Sequence, residues 1–373
     1  MSAPPCDARS AGLRLACLPD MSPARLWALL DTFGVHVSAL AAVAEGRAHE
    51  ADAREGRRTE ITPGLARRWR TALASGDIER LLAGRAPHVW LAPHGGTDPE
   101  YPIAEMSNPP AVLLSEGAVP GVLRRRRVAV VGTRSASVHG LHDATALGAA
   151  LADAGVTVVS GMALGIDGAA HRGALEAGGG VVGVVATGLD IEYPRRHRTL
   201  YEQVREAGVL VSEVGYGVGP TPARFPIRNR IIAALADVVV VVEATSRGGA
   251  RITADHAIRY GRPVLAMPGS RRNPAAEGCN ALIADGAHPL LEPSDVLVAL
   301  GLTEGSARAR WHTTPPPLSG DAGRVVSALA GDPASNDELR ERLGWSANTL
   351  ALALSDAETG GHILRAHGRW WPV

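Results

Sequence analysis

Residues 128–171 read VAVVGTRSASVHGLHDATALGAALADAGVTVVSGMALGIDGAAH, and this stretch decides the fold. Val128 to Val131 is a continuous apolar run that stops at Gly132, the pattern of a strand buried on both faces of a parallel sheet. From Val138 the period changes. Val138, Leu141, Leu147, Leu151 and Ala154 share one helical face, and Gly155 can end that helix. Val156 to Val159 is then a second buried strand, so the stretch predicts one right-handed βαβ unit. Each strand runs out into a glycine loop, Gly132-Thr133-Arg134 after the first and Ser160-Gly161 after the second. Loops at the carboxyl ends of strands build the ligand site in open parallel sheets, and the site is expected there.

The alternation continues downstream. Val181–Val185, Val209–Val211, Val238–Val242 and Val264–Met267 read as strands; His197–Ala207, Ile227–Ala236 and Ile252–Tyr260 read as helices between them. Repeated strand–helix alternation specifies an α/β fold with a doubly wound, Rossmann-like, mostly parallel sheet. Upstream, His88–Pro93, Tyr101-Pro102 and Ala111–Leu114 read as short strands and turns leading into that sheet. Arg124 to Arg127 is a four-arginine run, either a solvated connection or part of a basic rim.

Residues 1–84 predict a small helical domain, helical in pattern from about residue 13. Ser22-Pro23 and Thr62-Pro63 start helices and Phe33-Gly34 stops one. Helices of this length also occur in helix-hairpin-helix DNA modules. The sheet domain is expected over 85–302 and a linker over 303–318, stiffened by Pro315-Pro316-Pro317. Residues 319–373 then read as three helices, near Arg324–Ala330, Asn336–Leu343 and Ser346–Thr359, with a hairpin turning at His367-Gly368. Three helices and a hairpin make a winged helix.

Composition excludes several chemistries. All 38 basic side chains are arginine, so no Schiff-base, catalytic or P-loop lysine is available. The 38 acids balance them, and any polyanion site must be a local patch. Cys6, Cys17 and Cys279 are too few and too scattered for a disulfide framework or a zinc site, which points to a reducing cytoplasm. The amino terminus carries no signal-peptide pattern, no apolar run approaches the ~18 residues of a spanning helix, and no membrane partner is expected.

Known motifs narrow the reading further. The first loop, GTRSASVHG, is not G-x-G-x-x-G, and no acid ends the second strand, against a nicotinamide dinucleotide. No Walker A loop is present. Ser160, Asp167 and His171 lack a G-x-S-x-G elbow, and Asp167 and His171, one turn apart, are expected to bond to each other or to the adjoining loop. His139 and His142 share a helix with no carboxylate or third ligand to complete a metal site. The sequence therefore nominates no catalytic residue, no cofactor and no metal.

The arginines carry the positive signal. Arg134 sits on the first loop, Arg195, Arg196 and Arg198 follow Tyr193-Pro194, and Arg228 and Arg230 flank Asn229 after Phe225-Pro226. All lie on carboxyl-end loops or at the helix starts just after them, and can converge on one face. Gly132 and Gly161 are expected to offer backbone N–H groups to an anion at helix starts. Tyr193, Tyr201 and Phe225 lie among them as stacking surfaces, which fits a phosphate backbone with unpaired bases. Against this, half of these arginines could simply pair with Glu192, Glu202 and Glu213. The winged helix gives the opposite signal. Ser346 to Gly360, its third helix, has no basic residue, and the segment from Ser319 has five arginines against seven acids, which favours a protein contact over duplex reading.

These residues together resemble the DNA-processing protein A family (DprA/Smf). The resemblance runs through GTR at 132–134, SGMALGIDGAAHRGAL at 160–175, TGLDIEYP at 187–194, FPIRNRIIA at 225–233, VVEATSRGGARITADHA at 241–257, MPG at 267–269 and GCNALIADGA at 278–287. It spans the sheet domain; the ends resemble the family's accessory helical domain and winged helix. The resemblance implies a protein of natural transformation that is not an enzyme. Such a protein coats incoming single-stranded DNA as a homodimer, counters the single-strand-binding protein and helps to load RecA recombinase. It further implies that Arg134, Arg195, Arg198 and Tyr201 belong to the DNA pocket, beside Gly132, Thr133, Ser160, Gly161, Phe225, Arg228, Asn229 and Arg230. The chain departs from the family's usual glycine-serine-glycine at Ala186-Thr187-Gly188 and from its asparagine at His197, and arginine replaces the family's lysines.

A competing reading is a nucleotide phosphoribohydrolase-like enzyme of the same fold superfamily, which would want a PGGxGTxxE loop. Here Pro268-Gly269 is followed by Ser270-Arg271-Arg272, and Glu243 and Glu277 are the possible substitutes for its glutamate.

Overall fold

The computed structural model describes residues 7–51, 60–92, 102–103, 106, 108–302, 318–329, 333–359, 362–366 and 368–372. Cys6, Pro93, Tyr101, His367 and most of the proline-bearing stretch, 303–317, fall outside them. Residues Met1–Ala309 form one compact unit and Arg310–Val373 a second.

The chain opens with five helices, α1 (Ala8–Ala16), α2 (Pro23–Phe33), α3 (His36–Glu45), α4 (Pro63–Ala74) and α5 (Asp77–Leu82). The hydroxyls of Ser22 and Thr62 cap α2 and α4 by accepting from Arg25 N and Leu65 N, and Gly34 closes α2, as the sequence predicts. Trp69 is fully buried and donates its indole N–H to Pro19 O at 2.7 Å. Trp27 donates to Pro109 O at 2.9 Å and fastens these helices to the chain entering the sheet.

The sheet follows. Its elements are β1 (His88–Leu91), β2 (Val112–Glu116), β3 (Arg127–Val131), α6 (Val138–Asp153), β4 (Thr157–Ser160), α7 (Ile166–Glu176), β5 (Val181–Val185), α8 (Arg198–Ala207) and β6 (Gly208–Ser212). After them come α9 (Arg224–Leu235), β7 (Val238–Val241), α10 (Gly249–Arg259), β8 (Val264–Ala266), α11 (Glu277–Ala284), β9 (His288–Pro289) and α12 (Pro293–Ala299). The nine strands lie in the order β1-β2-β6-β5-β4-β3-β7-β8-β9. β1 and β2 are antiparallel additions; the seven strands from β6 to β9 are parallel. Every residue of β4 to β8 is buried, which is why those strands read as unbroken valine-rich runs. Against this sheet α6 and α7 cross closely. A side chain at Gly173 would strike the backbone of Thr145, and the Thr145 hydroxyl donates to Ala169 O at 3.4 Å.

Several details differ from the sequence reading; α10, for one, starts at Gly249, three residues early, and the first helix of the second unit at Gly320, four early. Helix α9 begins at Arg224, three residues early, because Pro226 fits within a first helical turn where its missing N–H costs nothing. The arginine run ends at Arg127, the first residue of β3, so it sits at the amino end of that strand and not on the carboxyl-edge rim. There Arg127 donates to Leu123 O and lies 3.9 Å from Asp237.

The second unit holds α13 (Gly320–Ala328), α14 (Asn336–Leu343), α15 (Ala347–Thr359) and the hairpin β10 (Ile363–Ala366) with β11 (Arg369–Pro372). Val325, Leu329, Leu339, Leu350, Leu354, Ile363 and Trp370 form its core, giving the expected winged-helix arrangement. Ser335 and Glu338 close a reciprocal capping box on α14.

Candidate nucleic-acid interface

β3 and β7 are neighbours, yet the chain leaves β3 toward β4 on one side and β7 toward β8 on the other. Such a switch point opens a crevice at the carboxyl ends of the strands. Here it is a cleft of about 450 Å³. The loop after β3 supplies Gly132, Thr133 and Arg134; the turn after β4 supplies Ala163 and Asp167; Tyr193 comes from the loop after β5. Thr221, Pro222, Phe225, Arg228 and Asn229 come from the approach to α9 and its first turns, and Gly248, Gly249 and Thr253 from the start of α10.

Arg134 is the exposed cation at this cleft. Its guanidinium carbon lies 4.8 Å from the centre of the Phe225 ring, and Tyr193 packs against the same phenylalanine at 5.5 Å between ring centres. Tyr193 is 41% exposed, so this aromatic pair is partly open to solvent at the cleft. The loop holding Arg134 is fixed from behind. Thr133 N donates to Glu243 O at 2.8 Å, and Ile166 N to Thr133 O at 3.3 Å. Gly165, at φ 80°, presses against this loop so closely that a Cβ would lie 2.8 Å from Arg134 O.

The floor is a buried polar layer. The Asp167 carboxylate accepts from Gly161 N at 3.1 Å and Ala163 N at 3.4 Å, while burial raises its pKa against the opposing pull of Arg228. Arg228 donates to Gly161 O at 2.7 Å and to Val184 O, so it ties the ends of β4 and β5 together. Burial holds its pKa below the ordinary arginine value, with Asp167 opposing. Asn229 stands at the rim and donates to Gly249 O at 3.2 Å.

The other nominated residues divide. Arg195 is exposed on the turn before α8, and Arg198 is exposed at its start, 3.5 Å from Glu202. Ser160 is wholly buried and donates to Val130 O at 2.6 Å, so it is out of reach of any ligand. Gly161 is buried too, with its N–H taken by Asp167; neither it nor Gly132 stands at a helix start, because α6 is capped by Ser137 and α7 by Gly165. Tyr201 is 1% exposed, its hydroxyl donating to Tyr193 O at 2.9 Å, and it is a support for the open ring of Tyr193 and no platform itself. Leu200, Tyr201 and Val204 fall on one helical face, a signal that could have shown this. Arg230 is buried, paired with Glu213 and donating to Asn108 O at 2.7 Å. Of the three acids weighed against the arginines, Glu202 and Glu213 do take Arg198 and Arg230, and Glu192 takes Arg205 instead at 3.0 Å.

Sequence reasoning missed the glycine turn Gly248-Gly249 and the Pro220–Pro222 approach, which line the cleft without a charge to announce them. Asp167 bonds to the adjoining loop and not to His171, whose buried ring lies against the backbone of Ser160. His142 does have a carboxylate beside it, Asp143 at 3.8 Å; among the described residues no group of three metal-ligating side chains comes together. No single described helix is long and apolar enough to cross a membrane. As for a phosphoribohydrolase glutamate, Glu243 is buried and accepts from Ser137 N at 2.9 Å and from its hydroxyl at 2.5 Å, and Glu277 lies outside the cleft lining.

Comparison with known proteins agrees with this architecture. Residues 95–301 match the family model for DNA recombination-mediator protein A, and residues 311–369 match the DprA winged helix domain. The chain is 33% identical to protein Smf of Synechocystis over 306 residues, covering 70% of this chain and 73% of that protein. It is 40% identical to a putative DNA processing protein DprA of Mycobacterium tuberculosis over 248 residues, covering 66% of this chain and 64% of that one. The X-ray structure of DNA processing protein A from Streptococcus pneumoniae superposes with a TM-score of 0.64 at 28% identity, covering 78% of this chain and 97% of that one. That of Helicobacter pylori, described for its unique single-stranded DNA binding mode, gives a TM-score of 0.50 at 27% identity over 55% of this chain and 94% of that one. On these matches the chain belongs to the DNA recombination-mediator protein A (DprA/Smf) family.

Proposed function

We propose that the cleft at the switch point binds single-stranded DNA, with Arg134 on the phosphate backbone and the Tyr193–Phe225 pair against an unpaired base. The observation that carries this is the exposed Arg134 guanidinium lying over Phe225 at the cleft mouth. A phosphate ligand needs an accessible cation, and a base needs an accessible ring; this rim offers both side by side, with Arg134 4.8 Å from the centre of Phe225 and Tyr193 5.5 Å from the same ring. Arg195 and Arg198 extend the same edge, while Arg228 and Asn229 shape the floor and rim. The Helicobacter pylori relative, described as a single-stranded DNA binder, supports the reading. Family membership supports the wider role: a non-catalytic mediator of recombination in natural transformation, acting in the cytoplasm as a homodimer, displacing the single-strand-binding protein and loading RecA.

Titrating the purified chain with labelled oligothymidine at two salt concentrations, beside a matched duplex, tests the binding reading. Tighter, salt-dependent binding of the single strand is expected. Equal or stronger duplex binding would overturn it, and release of free base from nucleoside monophosphates would restore the enzyme alternative.

A further inference from the structure

We infer that the single strand does not end at the cleft but continues across the switch point, onto a second basic platform made by Arg247, Arg271 and Arg272. This rests on the reading of the cleft as a single-strand site.

Arg247 lies on the loop after β7, next to the cleft-lining Gly248, and Arg271 and Arg272 lie on the loop after β8. β7 and β8 are adjacent and parallel, so both loops leave the same edge of the sheet as the loop of Arg134. The loops are joined to each other. Ala244 N donates to Ala275 O at 2.8 Å and Gly278 N to Ala244 O at 2.7 Å, and a Cβ at Gly278 would lie 2.5 Å from Thr245 O. Each is also closed on itself, by Gly248 N to Thr245 O at 3.0 Å and by Asn273 N to Ser270 O at 2.8 Å. The Asn280 amide braces the base of the second, accepting from Gly269 N at 3.1 Å and donating to Gly269 O at 2.9 Å.

The three guanidinium groups are therefore displayed by braced turns. All three residues are exposed, and among the described residues no carboxylate lies within ion-pair distance of any of them. From the end of β5, which leads to Arg195, to the end of β8 is four strand spacings, about 19 Å. A strand lying along that edge meets Arg195 and Arg198 first, then Arg134 with the aromatic pair, then Arg247, Arg271 and Arg272. The loops after β7 and β8, residues 242–248 and 267–276, carry no aromatic residue, so the second platform holds phosphate without holding bases, a contact indifferent to sequence.

The test uses the full chain with a thymidine dinucleotide, too short to cross the two strand spacings, about 10 Å, between the loop of Arg134 and that of Arg271, and with an oligothymidine of about 20 nucleotides, each titrated across a salt series. The short probe fills the cleft; the long one reaches the platform. The R247A and R271A/R272A variants are expected to leave the short probe's affinity unchanged. On the long probe they should lower the salt slope by about 0.7 for each phosphate no longer neutralised, and R271K/R272K should restore it. Unchanged slopes on the long probe, or equal weakening of both probes, would overturn the inference. R134A separates the two readings. If it weakens both probes while the platform variants weaken neither, the cleft reading stands and the platform falls. If it weakens neither probe, the cleft reading falls, and the platform with it.

Discussion

The guanidinium of Arg134 lies over Phe225, 4.8 Å from its ring centre, while its charge stays exposed. One side chain thus joins the electrostatic and the stacking halves of the rim. Arg134→Ala should weaken single-strand binding to the same degree for every base sequence and lower the salt slope by about 0.7. Arg134→Lys should keep the slope but lose affinity, because an ammonium carries charge without the planar stack. A lysine variant that matches the wild type in both respects would show that Phe225 does not position the cation.

Tyr201 offers the contrasting case. Its hydroxyl donates to Tyr193 O at 2.9 Å and accepts from Tyr193 N at 3.3 Å, so it clamps the backbone of the residue whose ring faces the ligand. Tyr201→Phe removes both bonds while filling the same space. We expect a loss of stability of about 1 kcal/mol in urea unfolding, with a smaller loss of affinity than Tyr193→Ala causes. An affinity loss exceeding that of Tyr193→Ala would mean that Tyr201 itself meets the base.

These two tyrosines show what the sequence could and could not disclose. The valine runs that made β3 to β8 legible are apolar because both faces of each strand are covered, a property written into composition alone. The caps at Ser22 and Thr62 were equally visible, since each acts on residues three positions away. The edge that gathers Arg134, Tyr193, Phe225 and Asn229 followed from topology. What stayed hidden was the partner of each polar side chain. Arg134 and Arg228 read alike as sequence, yet Arg228 is held by the carbonyls of Gly161 and Val184, neither of them near in the chain, whereas the acid that takes Arg230, Glu213, was already among the candidates.

Arg230 and Glu213 are both less than a tenth exposed. Removing one charge takes from the other its buried ion-pair partner, and Arg230→Ala should destabilise the chain by about 3–5 kcal/mol. The double replacement Arg230→Met with Glu213→Leu should recover most of that loss, because a buried ion pair often gains little over an apolar pair of similar volume. Denaturant titration of the single and double variants decides the matter. A single variant that keeps wild-type stability but loses DNA would return Arg230 to the binding site.

His171 has no exposed surface, and its ring lies against the backbone of Ser160. Burial pushes its pKa from 6.5 down to about 3, with His197 adding to the effect. Below pH 6.5 the unfolded chain takes up a proton that the folded chain refuses until about pH 3, so stability falls as acidity rises through that window. The slope approaches about 1.4 kcal/mol per pH unit for this one group. His197, also lowered chiefly by burial, acts in the same direction. His171→Leu removes the buried titrating ring and should therefore flatten the decline between about pH 6 and about pH 4.5, measured by urea unfolding. Identical pH dependence in the variant and the wild type would show that His171 is hydrated in solution.

The five arginines of the winged helix invite a duplex-binding assignment, but they are already engaged. Arg324 and Arg340 lie 3.7 and 3.8 Å from Asp321 and Asp337, and Arg369 makes a double contact with Glu338 at 2.8 and 2.6 Å. Arg342 donates to Ala328 O at 3.1 Å, and Arg365 lies 5.7 Å from the centre of the Trp370 ring. Helix α15, which would read the major groove, carries Asp356 and Glu358 and no arginine. Deleting residues 319–373 should accordingly leave oligothymidine affinity within a few-fold of the full chain. A loss of more than about tenfold, or about 1.4 kcal/mol, would place phosphate contacts in this module after all. The surface pairs themselves are worth little to stability, so their cost to a nucleic acid is mainly the competition they pose: a phosphate at Arg324, Arg340 or Arg369 would have to displace a carboxylate already in place.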